Sequence, residues 1–189
     1  MTAIADQADS DGEVAPGLPH RFETSRLDLR TLDDVSRQFY VGLYTNVEVM
    51  RHVGSPMSPE AAMCAFDRVQ RQMQQRPPQA WYWVARLRGS GRETGLLALM
   101  FDPGRESAEF GMMMPTWSQG SGYATEVVAA LVTHAFGDDR SGAKGPRLQR
   151  LHTRHLLRHP AGPRVMGKLG FTSEATGREM VHWSLDRPR

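Results

Sequence analysis

The chain has a single cysteine, Cys64, among 189 residues. No intrachain disulfide can form, and a thiolate zinc site, which needs several cysteines, is excluded. Long apolar runs are missing as well: none approaches the roughly 18 residues that a membrane helix requires. The N-terminus lacks the basic-then-apolar pattern of a secretory leader. No segment repeats. Net charge is nearly absent, at +2. What is present is an ordinary globular balance, 40% hydrophobic and 23% charged, in a chain long enough to bury a core without staples. The expectation is a cytoplasmic, single-domain protein with no membrane segment and no metal.

The small net charge conceals an uneven distribution. Residues 1–20 carry Asp6, Asp9, Asp11 and Glu13, with no Lys or Arg and no hydrophobic period. They are expected to form a flexible tail, leaving residues 21–189 as the domain. Residues 140–168 carry Arg140, Lys144, Arg147, Arg150, Arg154, Arg158, Arg164 and Lys168, with no acid. Such a run is either a solvated face or a site for an anion, whether a phosphorylated ligand or a nucleic acid.

Periodicity divides the rest. Arg26 to Arg30 alternates as a strand with Leu27 and Leu29 on one face. Asp33 and Asp34 cap a helix carrying Val35, Phe39 and Leu43. Ser58-Pro59-Glu60 opens a second helix with Ala62, Phe66, Val69 and Met73 as its stripe, ending before Pro77-Pro78. Residues 81–87, 94–101 and 108–114 read as an antiparallel meander with Gly- and Pro-containing turns. A helix follows over 122–136, then a Gly-rich loop at 137–146 and a strand at 148–156. A short helix at 163–169 is stopped by Gly170, and two closing strands lie near 171–174 and 180–185. This order predicts an α/β (α+β) fold with a mixed sheet. Trp81 and Trp83 share one sheet face and are read as core. His152 and His155 lie three apart in a strand and so face opposite sides, which argues against convergent metal ligation with His159.

The segment richest in chemistry is Glu109 to Glu126. A strand runs into Gln119-Gly120-Ser121-Gly122-Tyr123-Ala124, which opens onto an amphipathic helix. A helix start has unpaired N–H groups and a positive dipole end, and small residues let a phosphate reach them. The alternative is a turn that merely needs glycine. The loop completes neither G-x-G-x-x-G, since Thr125 holds the third glycine position, nor a P-loop, since G-K-[ST] is missing.

Gln119 to Ala124 matches the Q/R-x-x-G-x-G/A signature of the GCN5-related N-acetyltransferases (GNAT). Glu23-Thr24-Ser25-Arg26-Leu27-Asp28-Leu29-Arg30, Ala108-Glu109-Phe110-Gly111 and Ala124-Thr125-Glu126 resemble the branch containing the ribosomal-protein N-terminal acetyltransferases. Lys168-Leu169-Gly170-Phe171 resembles the family's second motif. The resemblance spans about residues 22–186. It implies a mostly antiparallel central sheet flanked by helices, with a splayed strand pair forming an acyl-CoA cleft. It further implies acetyl-CoA as co-substrate, held by Gln119, Gly120, Ser121, Gly122, Tyr123, Ala124 and Thr125, and by the strand end at Met112, Met113 and Met114. Since strand residues alternate faces, at least one of these methionines is expected in the core.

By the same resemblance, Glu109 is the candidate general base, with a salt-bridged surface glutamate as the alternative. His159 and Arg164 are candidate CoA contacts within the second motif, and Arg158 a further one. There the chain departs from the family: His159 stands at the usual Asn, Gly162 at the usual Ser or Ala, and Met166 where many relatives carry a tyrosine acid. The implied activity is transfer of acetyl from acetyl-CoA to a primary amine of a protein or peptide N-terminus, a lysine side chain or a small molecule, by a monomer or homodimer. The departures motivate a second class, a non-catalytic acyl-CoA-binding regulatory module. Nucleic-acid binding through the basic run is a third, less favoured class.

Overall fold

The computed structural model describes residues 17–137, 146–157, 159–176 and 179–188. Strand β3 (Ala80–Leu87) sends Trp81, Trp83 and Ala85 to one face and Ala80, Tyr82 and Val84 to the other, and all six are buried. β4 (Glu93–Phe101) does the same with Leu97 and Leu99 against Leu96. Strands buried on both faces belong to the middle of a sheet covered on both sides. β2 (Leu27–Thr31) lies beside β3 and buries Leu27 and Leu29. β5 (Ser107–Met113) lies beside β4 and buries Ala108, Phe110 and Met113. With β1 (Arg21–Glu23), β6 (Arg150–Leu156), β7 (Thr172–Thr176) and β8 (Met180–Asp186), they form one sheet in the order β1-β2-β3-β4-β5-β6-β8-β7. Every neighbouring pair is antiparallel except β5 and β6. The mixed, mostly antiparallel sheet is the one expected.

Helices cover the two faces. α1 (Arg37–Thr45), α2 (Val47–Met50) and α3 (Pro59–Gln74) pack around Tyr82, Val84, Leu96 and Met113. α3 starts as the sequence predicts: the Ser58 side chain accepts from the Ala61 N–H at 3.2 Å, and Ala62, Phe66 and Val69 are buried. α4 (Tyr123–Phe136) and α5 (Gly162–Lys168) cover the opposite face, where Val127, Val128, Leu131 and Met166 join the cluster containing Trp83, Leu97 and Phe110. Trp81 and Trp83 stack at 5.8 Å between centroids within that cluster. A buried tryptophan removes roughly 150–250 Å² from water, about 4–6 kcal/mol at 25 cal/mol per Å². That magnitude fits core members, as read from the shared face.

Three local differences from the sequence reading have physical causes. Val35 is 81% exposed. The chain takes a 3-10 turn at Asp34–Ser36 before α1, so the buried helix positions become Tyr40 and Leu43. The segment expected as tail is partly packed: Leu18 is buried, and the Trp83 indole donates to the Pro19 carbonyl at 2.9 Å. Packing therefore extends past Phe22 to Leu18, while residues 1–16 lie outside the described residues. β1 and α2 are short elements below the reach of periodicity.

Among the described residues, the sheet opens between β5 and β6. β5 and β6 pair only through Ser107↔Arg150, Ala108↔Leu151 and Glu109↔His152. Beyond Glu109, β5 pairs only with β4, and beyond His152, β6 pairs only with β8. The two strands thus splay into a V whose vertex is the Glu109–His152 pair, and the edge of β5 facing β6 is unpaired from Phe110 to Met113.

Candidate active site

Past the wide end of the V, the chain passes a 3-10 turn at Thr116–Ser118 and the loop Gln119–Gly122 before α4. Two side chains pin this connection. The Ser118 hydroxyl is buried between the carbonyls of Thr94 (2.8 Å) and Pro115 (3.0 Å), and the Gln119 amide donates to the Met114 carbonyl at 3.0 Å. Gly120 and Gly122 have φ of 76° and 80°, the left-handed region that favours glycine. A Cβ at Gly120 meets no atom within 4 Å, so the loop surface is open there.

α4 has no side-chain cap, whereas Ser58 and Asn46 cap α3 and α2. Its first internal donor is the Glu126 N–H, to the Gly122 carbonyl at 3.2 Å. The N–H groups of Tyr123, Ala124 and Thr125 precede that bond and have no carbonyl one turn back to pair with. Together with the helix dipole, they suit the pyrophosphate of CoA.

A clamp that the sequence reading did not foresee fixes this helix start to the beginning of β2. The Glu126 carboxylate accepts from the Thr24 hydroxyl, the Ser25 hydroxyl (3.1 Å), the Arg26 backbone N–H (2.8 Å) and Arg26 Nε (2.7 Å). Arg26 also donates through Nη1 to the Ser121 carbonyl at 3.0 Å and lies 4.6 Å from the Tyr123 ring centre. That carbonyl is thereby tied to Arg26 rather than left for an anion. Burial alone raises the Glu126 pKa, but the hydrogen bonds from Thr24, Arg26 and Ser25 outweigh it and hold the group down to about 2. A depressed carboxylate stabilises the fold above its unfolded pKa of 4.5 and loses that contribution as pH falls toward 2. Glu126→Gln is therefore expected to lower stability at pH 7 by about 1.5–3 kcal/mol, the range for hydrogen bonds to a charged group. The gap to wild type should close through the window from 4.5 down to 2, as measured by urea unfolding across pH.

At the vertex of the V, Glu109 Oε1 is 3.1 Å from Arg154 Nε. Ser107 and Glu109 face away from α4, on the side of the sheet that carries α1–α3. Beside them, His152 Nε2 lies 2.9 Å from Asp102 Oδ2, which also accepts from the Ser107 hydroxyl. Burial pulls the Asp102 carboxyl upward, and the bonds from Ser107 and His152 outweigh this to keep it below the ordinary carboxylate range. These groups line a cavity of about 300 Å³ with Arg150, His182 and Ser184. A larger hollow of about 730 Å³ lies between the starts of β2 and β4. Its cations are engaged internally: Arg30 with Asp28 (2.8 Å), Arg86 with Ser36 (2.7 Å), and Arg92 over the Trp117 ring (3.5 Å). The smaller cavity includes His152 of the vertex pair in its lining.

The remaining predicted residues separate. Met113 is core, and the Met112 methyl lies over Gly95, where a Cβ would stand 2.5 Å from it. Met114 is half-buried. The strand end thus presents its backbone edge to the cleft more than the side chains of Met112 and Met113. His159 Nδ1 accepts from the N–H groups of Gly162 (3.1 Å) and Ala161 (3.3 Å) and so caps the start of α5. Burial, with His52 and His155 nearby, lowers its pKa. The departure at Gly162 has a steric cause, since a Cβ there would stand 2.3 Å from His155 Nε2, which is held by the Trp183 indole at 2.9 Å. Arg164 is exposed in the first turn of α5, while Arg140, Lys144 and Arg158 lie outside the described residues. Among the described residues of the basic run, Arg150 and Arg154 lie on a different face from Arg164. Arg150 pairs with Asp186 (2.6 Å) and Arg154 with Glu109, both on the face away from α5. Cys64 is exposed on α3, on the opposite side of the sheet from α4.

The model for the acetyltransferase (GNAT) domain matches residues 26–172. No curated protein matches the chain. An acetyltransferase of the GNAT family from Bacillus anthracis superposes with a TM-score of 0.71 at 15% identity, covering 88% of this chain and 98% of that one. Spermidine N-acetyltransferase from Vibrio cholerae, in complex with CoA and spermine, gives 0.68 at 18% identity, covering 86% and 96%. An acetyltransferase from Salmonella typhimurium that modifies the N-terminal serine of a ribosomal subunit protein gives 0.68 at 17% identity, covering 86% and 96%. At these identities the structural likeness establishes a shared fold.

Proposed function

Because the chain belongs to the GNAT acetyltransferase family, we propose that it transfers an acetyl group from acetyl-CoA to a primary amine, with the α-amine of a peptide or protein as the favoured acceptor. The observation that carries this reading is the uncapped start of α4 behind Gly120 and Gly122, reached from a strand whose edge is freed by the V. The N–H groups at Tyr123, Ala124 and Thr125 would hold the pyrophosphate, and the edge of β5 at Met112 to Met114 would pair with the pantetheine amides. Arg164 on α5 would offer a cation to a phosphate. Acetyl-CoA supplies the activated thioester. The cleft brings the amine to it and leaves charge to be stabilised by backbone donors of β5.

The favoured acceptor follows from charge. Two described carboxylates near the vertex are ion-paired, Glu109 with Arg154 and Asp186 with Arg150, and Asp102 is hydrogen-bonded by Ser107 and His152. A polyamine needs several uncompensated carboxylates, whereas one ammonium flanked by peptide groups suits this mixed lining. An α-amine also has a pKa of about 8 against about 10.4 for lysine, so its reactive form is easier to reach. The proposal is tested by offering acetyl-CoA with three acceptors: a peptide with a free α-amine, an N-blocked lysine peptide, and spermidine. Release of CoA thiol is expected mainly with the first. Equal or greater release with spermidine would overturn the acceptor assignment.

A further inference from the structure

We propose that His152, positioned by Asp102, takes the proton from the acceptor amine. This rests on the acetyltransfer reading above and deepens it. Glu109, the carboxylate the sequence points to, is ion-paired through Oε1 with the Arg154 guanidinium at 3.1 Å. Its partner across the vertex, His152, is arranged differently. An ionised carboxylate only accepts, so Asp102 Oδ2 at 2.9 Å fixes the proton of the neutral ring on Nε2. The other ring nitrogen, Nδ1, then carries a lone pair. The ring is 30% exposed and lines, with Ser107, Arg150 and Ser184, the cavity of about 300 Å³ beside the vertex. The Ser107 hydroxyl bonds the same Asp102 oxygen and holds it in place. A base within reach of the substrate, oriented by a second group that stabilises the cation formed, is the arrangement general-base catalysis needs.

Two other histidines near the V, His155 and His159, are committed elsewhere. His155 donates through Nδ1 to the Leu156 carbonyl at 2.9 Å and accepts the Trp183 indole N–H at Nε2. His159 spends Nδ1 on the start of α5. The charged and titratable groups around His152 are Asp102 from the end of β4, Glu109 from β5, Arg150 and Arg154 from β6, and His182 from β8.

The step balances as follows. The acceptor arrives as an ammonium ion and gives one proton to His152 Nδ1, which becomes an imidazolium beside Asp102. The freed lone pair forms the C–N bond to the thioester carbonyl carbon. The C–S bond breaks with its electron pair leaving on sulfur. The second amine proton goes to that sulfur, giving the amide and CoA thiol. The first proton leaves His152 for solvent through the open cavity.

The test combines kinetics with a readout independent of turnover. His152→Gln is expected to lower kcat/KM for the acceptor by about a hundredfold or more, with acetyl-CoA affinity by calorimetry unchanged. Imidazole in the buffer should restore turnover to His152→Ala but not to His152→Gln. In wild type, ¹H–¹⁵N NMR should find the neutral ring of His152 protonated at Nε2, a preference lost in Asp102→Asn. Wild-type kinetics in His152→Gln, or a ring protonated at Nδ1, overturns the assignment. A wild-type chain that binds acetyl-CoA but acetylates no amine overturns the acetyltransfer reading itself, a result separate from the NMR outcome.

Discussion

Gly122→Glu is expected to abolish acetyl-CoA binding, with calorimetry showing at least a thousandfold loss. Three effects act together. Gly122 has φ of 80°, where a side chain costs about 1–2 kcal/mol. Its Cβ would stand 3.5 Å from Arg26 Nη2, so the new carboxylate competes with Glu126 for the guanidinium that holds the loop. The third effect is the largest: a negative charge is placed where the pyrophosphate is proposed to bind. Two like charges about 4 Å apart repel by about 4 kcal/mol at an effective dielectric of 20, which alone is nearly a thousandfold. Gly122→Asn separates these effects, because asparagine tolerates the left-handed conformation and adds no charge. It should retain most of the affinity. Equal loss in both variants would assign the effect to backbone strain, and unchanged affinity in Gly122→Glu would move the pyrophosphate elsewhere.

The second large effect concerns Glu109. Glu109→Gln removes the carboxylate at the vertex and leaves the Arg154 guanidinium facing the acceptor. An arriving ammonium loses attraction and gains a repulsion, so acceptor KM should rise by about ten- to a hundredfold, or about 1.4–2.7 kcal/mol. Turnover at saturating acceptor should fall much less, and acetyl-CoA affinity should stay the same. A large fall in kcat with unchanged KM would instead make Glu109 the base, the role the family resemblance implies. Measuring kcat and KM separately for this variant and for His152→Gln distinguishes the two carriers of the proton.

Much of the fold was legible because it depends on local pattern. The aromatic and aliphatic run Trp81 to Leu87, bounded by turns, located a strand, and Ser58-Pro59 located a helix start. The residues Gln119 to Ala124 marked the turn onto α4 because glycine is needed where φ turns positive. How the basic run divides between sheet faces was not legible from charge counting. Its arginines at 150 and 154 alternate with Leu151 and Thr153, so they fall on the opposite face of the sheet from α4. Charge counting ignores that alternation. The site's polar wiring was not legible for a different reason. Glu126 and Arg26 are 100 residues apart, and Asp102 and His152 are 50 apart. Only the placement of β2 against the start of α4, and the parallel register Glu109↔His152, bring them together. The departure at Gly162 looked like erosion of a motif. In the structure it is a packing requirement imposed by the His155 ring.

The most direct measurement of the central claim is mass spectrometry of products from acetyl-CoA with a mixed library of free-amine peptides, lysine peptides and small amines. The account predicts acetyl groups on peptide α-amines, matched by an equal yield of CoA thiol and eliminated in Gly122→Glu. An acetyl-CoA complex detectable by calorimetry, with no acetylated product from any member of the library, would contradict it.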